Sequence, residues 1–94
     1  MLQNWRVKTA PAVLWRCWDG EYAAYCAATG HTHHLEGLSA EVFERLLDAP
    51  ASAAKLLEEI TQMLDAPERD KLRDAVPQVV ERLAAAELIE PLAS

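Results

Sequence analysis

An α+β, winged-helix-like fold, with a three-stranded antiparallel sheet followed by three helices, is predicted for this chain by three observations. The dipeptide Asp19-Gly20 separates two runs of β-formers, Val13–Trp18 and Glu21–Cys26, and Asp-Gly is among the strongest hairpin signals in a sequence. All three glycines and five of the six aromatic residues lie within the first 37 positions, whereas Ala, Leu and Glu dominate the remainder. Prolines at 50, 67 and 77 then divide that remainder into helix-length segments with apolar residues at helical spacing.

The sheet follows from loop lengths. A two-residue loop at Asp19-Gly20 pairs Trp18 with Glu21 and Cys17 with Tyr22. A four-residue loop, Ala27–Gly30, then sets Cys26 opposite His31 and Tyr22 opposite Leu35, with the third strand running over His31–Glu36. Side chains alternate along a strand, so one face collects Val13, Trp15, Cys17, Tyr22, Ala24, Cys26, His31, His33 and Leu35. The other collects Leu14, Arg16, Trp18, Ala23, Tyr25, Thr32, His34 and Glu36. The first set is the more apolar and is assigned to the core, with Trp15 a core residue. Trp18, Arg16 and Tyr25 form an aromatic strip on the opposite face.

In the helical part, Ser39 is the expected cap of a helix with Val42, Phe43, Leu46 and Leu47 on its apolar face, ended by Pro50. Ser52 caps a second, with Leu56, Leu57, Ile60, Met63 and Leu64 on one side and a break at Asp65-Ala66-Pro67. A third runs from about Glu68 to Ala86, striped by Leu72, Val76, Val79, Val80 and Leu83. Pro77 removes a hydrogen bond to the Arg73 carbonyl and is expected to kink or split this helix. Leu88–Glu90 is a short extended exit.

Composition narrows the function. The 94 residues make one domain of ordinary size, 1–94, with 51% hydrophobic residues of which seventeen are the small Ala. Nothing approaches a membrane span, and the first residues carry no secretory signal, so the expected location is cytoplasmic. Two cysteines do not make a disulfide scaffold. The net charge of −6 lies wholly in residues 39–94, which hold twelve acidic and six basic groups, while residues 1–38 are balanced at three each. An acidic helical half opposes a nucleic-acid duty. The third helix itself sets Arg69, Lys71, Arg73 and Arg82 against Glu68, Asp70, Asp74, Glu81 and Glu87.

The residues Trp5-Arg6-Val7, Leu14-Trp15-Arg16, Trp18-Asp19-Gly20-Glu21, Tyr25, Gly30, Thr32-His33 and Leu35 stand in the order and spacing of PqqD-like proteins. The chain most resembles the HPr-rel-A system PqqD family, named for an accompanying HPr-kinase-related protein. The resemblance spans essentially the whole chain; WDGE and G-x-T-H-x-L carry it most sharply, and Pro77 departs from it. It implies a RiPP recognition element: a non-catalytic peptide chaperone that binds the leader of a ribosomally made precursor and presents it to a modifying enzyme. The leader would add as a strand beside the third strand, in a groove closed by the third helix. Carried over, the peptide-binding edge is Thr32, His33, His34, Leu35 and Glu36; on the helix, by pattern, it is Val79, Arg82, Leu83 and Ala86. The implied partners are the precursor peptide and a modifying enzyme or HPr-kinase-related protein, with no cofactor.

Elementary energetics points the same way. An unpaired sheet edge offers backbone donors and acceptors to an incoming strand. Four or five such bonds at a net of about 0.5–1.5 kcal/mol each fall short of the roughly −8 kcal/mol of micromolar binding. Apolar leader side chains must supply the rest, so an apolar anchor is expected to matter more than the peptide's charges. The alternatives are a winged-helix nucleic-acid binder and a dimerisation domain, since an open edge also pairs with a second copy. A metal site built from His31, His33, Cys17 and Cys26 is disfavoured because the spacing holds neither CxxC nor HxxxH. No nucleophile elbow or phosphate loop is present, so no catalytic residue is assigned.

Overall fold

The computed structural model describes residues 3–63 and 66–92, the side chains of 66–69 excepted. The hairpin chemistry sets the central sheet. Asp19 (φ 48°) and Gly20 (φ 77°) both adopt positive φ, the backbone of the tight two-residue turn that matches strand twist. The turn joins β2 (Val13–Trp18) to β3 (Glu21–Cys26), and β4 (His31–Leu35) follows; β1 (Asn4–Val7) precedes them. The sheet order is β2-β3-β4, all antiparallel, and every pairing expected from the loop lengths is found: Trp18↔Glu21, Cys17↔Tyr22, Cys26↔His31 and Tyr22↔Leu35.

A second sheet adds to the expected three strands. Asn4–Val7 lies between β5 (Ala51–Ser52) and β6 (Ile89–Pro91), giving the order β5-β1-β6. Arg6 faces Glu90 across β1 and β6, and their side chains form an ion pair at 2.8 Å. The Leu92 amide donates to the Asn4 carbonyl and the Lys8 amide to the Leu88 carbonyl, at 2.8 and 3.1 Å. Pro91 fits because β6 is an edge strand, where a missing donor costs little.

The helices are α1 (Leu38–Asp48), α2 (Ala53–Thr61) and α3 (Ala66–Ala85). Ser39 is not the cap of α1. Gly37 holds that position with φ 57° and ψ −130°, a conformation suited to glycine, and its carbonyl accepts from the Glu41 amide at 3.1 Å. Ser39 sits inside the first turn. Ser52 does cap α2: its hydroxyl accepts from the Lys55 amide at 3.1 Å. Ser52→Ala is expected to cost about 1 kcal/mol in urea denaturation, the usual loss for such a cap.

Helix α3 is continuous through Pro77 and is not split. Pro77 and Arg73 both lie on its exposed side, so the carbonyl freed by the proline can be hydrated. The helix closes in a Schellman arrangement: the Glu87 amide donates to the Ala84 carbonyl and the Leu88 amide to the Leu83 carbonyl, with Glu87 at φ 61°. Leu83 and Leu88, the apolar pair that accompanies this motif, are both buried. Met63, expected on the apolar face of the second helix, lies beyond its end and is exposed; Leu64 and Asp65 fall outside the described residues.

The core lies where the inner face of β2-β3-β4 meets the three helices. Val42, Phe43, Leu56, Val76 and Leu88 are fully enclosed, together with Ala24 of the sheet. Of the nine residues assigned to the inner face, Val13, Tyr22, Ala24, Cys26 and Leu35 are buried. Trp15 is 46% exposed, and Cys17 and His31 are also exposed, so they are not core residues. They share the predicted face but stand on edge strands, at positions the helices do not cover. No helix among the described residues is long and apolar enough to cross a membrane.

Candidate functional site: the open edges of the central sheet

Antiparallel pairing decides which backbone groups the sheet leaves free. A two-residue turn makes its closing pair, Trp18 and Glu21, a hydrogen-bonded pair, and bonded and non-bonded pairs alternate from there. The Ala27 amide donating to the Ala12 carbonyl at 2.9 Å keeps this alternation beyond the strand end. Residues 14, 16 and 18 of β2 therefore bond to β3, while Tyr22, Ala24 and Cys26 turn their backbone toward β4. On β4, Leu35, His33 and His31 complete those bonds. The backbone N–H and C=O groups of Thr32 and His34 consequently point outward from the sheet, available to another strand.

The side chains of this edge divide by face. Thr32, His34 and Glu36 are exposed on the side away from the helices; Leu35 is buried on the helix side. His33 is half-buried on that same side, and its Nε2 atom is enclosed without a hydrogen-bond partner. Its ring meets that of His31 edge-on at 6.3 Å. The Cys26 thiol, one strand in, donates to the Glu87 carbonyl at 3.6 Å and so ties the β3–β4 end of the sheet to the C-terminal turn of α3. Hydrogen bonds from Thr29, the backbone one foremost, hold that thiol below its ordinary pKa, with burial acting against them.

Of the helix residues expected to close the groove, Val79 and Leu83 are buried, at 5% and 3% exposure, and belong to the core. Arg82 is exposed and Ala86 partly so. Of the four, only Arg82 and Ala86 therefore present side chains at the surface.

The outer face brings together a group that strand-by-strand reading missed. His34 Nε2 lies 2.6 Å from Glu21 Oε1, and Trp18 stacks over the His34 ring at 6.0 Å with planes 6° apart. Glu36 joins them, the three ligand-type atoms lying within 4.8 Å of one another. Among the described residues this is the one group of three or more metal-ligating side chains that assembles; His31, His33, Cys17 and Cys26 do not form one. The signal was present in the register, which sets Glu21 across from Trp18 and diagonal to His34.

A second aromatic relay runs inward. Trp15 packs on Tyr22 at 5.6 Å and Tyr22 on Phe43 at 5.3 Å, while the Tyr22 hydroxyl donates to Glu44 Oε1 at 3.3 Å. Burial, a hydrogen bond with Cys17 and the nearby Glu44 carboxylate together push the Tyr22 phenol well above its ordinary 10.0. An acid whose pKa is raised in the folded state gives stability that is full below the unfolded pKa. That stability is lost as pH climbs toward the folded one. The wild-type chain is therefore expected to lose stability above pH ~10, and Tyr22→Phe to flatten that loss, in denaturation series run from pH ~8 to ~11.

A solved structure described as TbiB1 in complex with the TbiA(beta) leader peptide superposes with a TM-score of 0.77 over 95% of this chain and 99% of that one, at 18% identity. The chain has the fold of TbiB1. No protein-family model matches the sequence, and no curated protein matches it either.

Proposed function

We propose that this chain is a single-domain, non-catalytic peptide chaperone that holds the leader of a ribosomally made precursor and presents it to a modifying enzyme. The observation that carries this reading is the TbiB1 fold, seen there with a leader peptide, on a chain whose β4 edge is open. The leader adds beside β4, exchanging backbone hydrogen bonds with Thr32 and His34 and running past Leu35 and Glu36. On the helix side its side chains pass His33 and enter the space toward Arg82 and Ala86, over a floor that includes Val79 and Leu83. The resemblance to the HPr-rel-A system PqqD family makes an HPr-kinase-related protein a candidate recipient of the bound peptide, in the cytoplasm. The acidic helical half, from Glu41 to Glu90, favours this role over nucleic-acid binding.

The test is calorimetric titration of the chain with leader segments of short precursor peptides encoded beside its gene. Micromolar binding to one of them, lost when its apolar anchor is changed to Ala, is the expected result. Binding unaffected by that change would remove the groove from the account, and binding of none would leave the chaperone role without a ligand and refute it.

A further inference from the structure

The outer face of the central sheet carries a set of side chains that backbone pairing at β4 leaves free. Glu21 opens β3, and counting on from the Tyr22↔Leu35 pair sets it directly across from Glu36. His34 stands two residues before Glu36 on the same face, opposite the small Ala23. One donor atom from each of Glu21, His34 and Glu36 lies within 4.8 Å of the others, and His34 Nε2 is 2.6 Å from Glu21 Oε1.

Two further observations bear on what this group can hold. Carboxylates directly opposite each other across a ladder repel. Among the described residues neither Glu21 nor Glu36 has a Lys or Arg partner, and His34 is the sole ion-pair partner of Glu21. A cation between the two carboxylates turns that repulsion into attraction. The imidazole is also held in place: Trp18 stacks on its ring with planes 6° apart, and the β3–β4 ladder fixes its backbone. An oriented ring is what a metal-binding histidine needs, since a freely turning one must first be ordered.

We propose that Glu21, His34 and Glu36 bind one zinc ion, with water completing its coordination. A neutral imidazole nitrogen with carboxylate oxygens suits zinc, whereas magnesium prefers oxygen donors alone. Zinc–ligand bonds of about 2.0–2.2 Å place tetrahedral ligand atoms roughly 3.3 Å apart. The separations in this group bracket that value, so small rotations of two surface carboxylates close the site. Zinc takes the place of the hydrogen between Nε2 and Oε1, which leaves to solvent. The ion then ties the start of β3 to the end of β4 through side chains. The backbone groups of Thr32 and His34 stay open, so the inference stands or falls independently of the leader reading.

The experiment is calorimetric titration of the chelator-treated full chain with a zinc salt, alongside a thermal melt and NMR of the indole signals. The wild type is expected to bind one zinc with micromolar affinity and to melt several degrees higher with excess zinc, an effect reversed by EDTA. The Trp18 indole signal should move while those of Trp5 and Trp15 stay. Glu36→Gln is expected to weaken binding tenfold or more, and His34→Gln to abolish it. Glu36 lies beyond the end of β4, so its variant decides the matter if His34→Gln fails to fold. His31→Gln and Cys17→Ser, which alter the other exposed zinc-type ligands of the sheet, are expected to bind as the wild type does. No binding at millimolar zinc, or binding that survives Glu36→Gln undiminished, would overturn the proposal. So would loss of binding in His31→Gln or Cys17→Ser, or magnesium bound as tightly as zinc.

Discussion

Thr32→Pro is expected to weaken leader binding about 100-fold while leaving the chain folded. Thr32 belongs to a non-bonded pair with Tyr25, so its N–H and C=O serve no strand within the sheet. Proline at that position removes one donor offered to the peptide, and its ring stands where the incoming strand must approach. Two backbone bonds at about 0.5–1.5 kcal/mol each amount to as much as 3 kcal/mol, or roughly two powers of ten. The neighbouring substitution His33→Pro reverses both outcomes. His33 faces Ala24 in a bonded pair, so its proline breaks the β3–β4 ladder and is expected to lower stability sharply. Calorimetry with an identified leader and a thermal melt of each variant measure the contrast. Equal binding by Thr32→Pro and wild type would mean that the peptide does not add at β4.

The largest effect on stability is expected from Phe43→Ala. Phe43 is fully buried on α1, meets Tyr22 edge-on, and stands where the inner face of the sheet touches the helices. Truncating a buried aromatic costs about 3–5 kcal/mol. Domains of this size are stable by about 5–15 kcal/mol in all, so one substitution removes roughly a fifth or more of the margin. Urea denaturation should show a large drop in midpoint with little change in slope. Leu14→Ala, on the exposed outer face, is expected to stay within about 0.5 kcal/mol of wild type. If Phe43→Ala cost no more than Leu14→Ala, the core would lie elsewhere.

What could be read from the sequence was local. Asp19-Gly20 specifies a two-residue turn, and from it every pairing of β2, β3 and β4 follows by counting. Ser52 and Pro50 bound their helices for equally local reasons. The small sheet escaped because its strands come from three distant segments, β5 has two residues, and Pro91 argues against a strand until its partner is known to lie on one side only. Ser39 was displaced as a cap by Gly37, whose backbone conformation turns the chain from β4 into α1 two residues earlier. Trp15 shows the limit most plainly. Alternation gives its face correctly, but whether a face is covered depends on where the helices end, and no periodicity contains that. The same limit applies to the site. The open β4 edge follows from the strand order, whereas the burial of Val79 and Leu83 and the tie from Cys26 to Glu87 depend on packing.

The central claim is that a leader peptide becomes the next strand beside β4, and amide hydrogen exchange measures this directly. Strand addition should slow exchange of the Thr32 and His34 amides, which point out of the free sheet, and leave those of His33 and Leu35, already bonded to β3, little changed. Protection that appears instead at Val13, Trp15 and Cys17, or at no edge amide when the leader is bound, would contradict it.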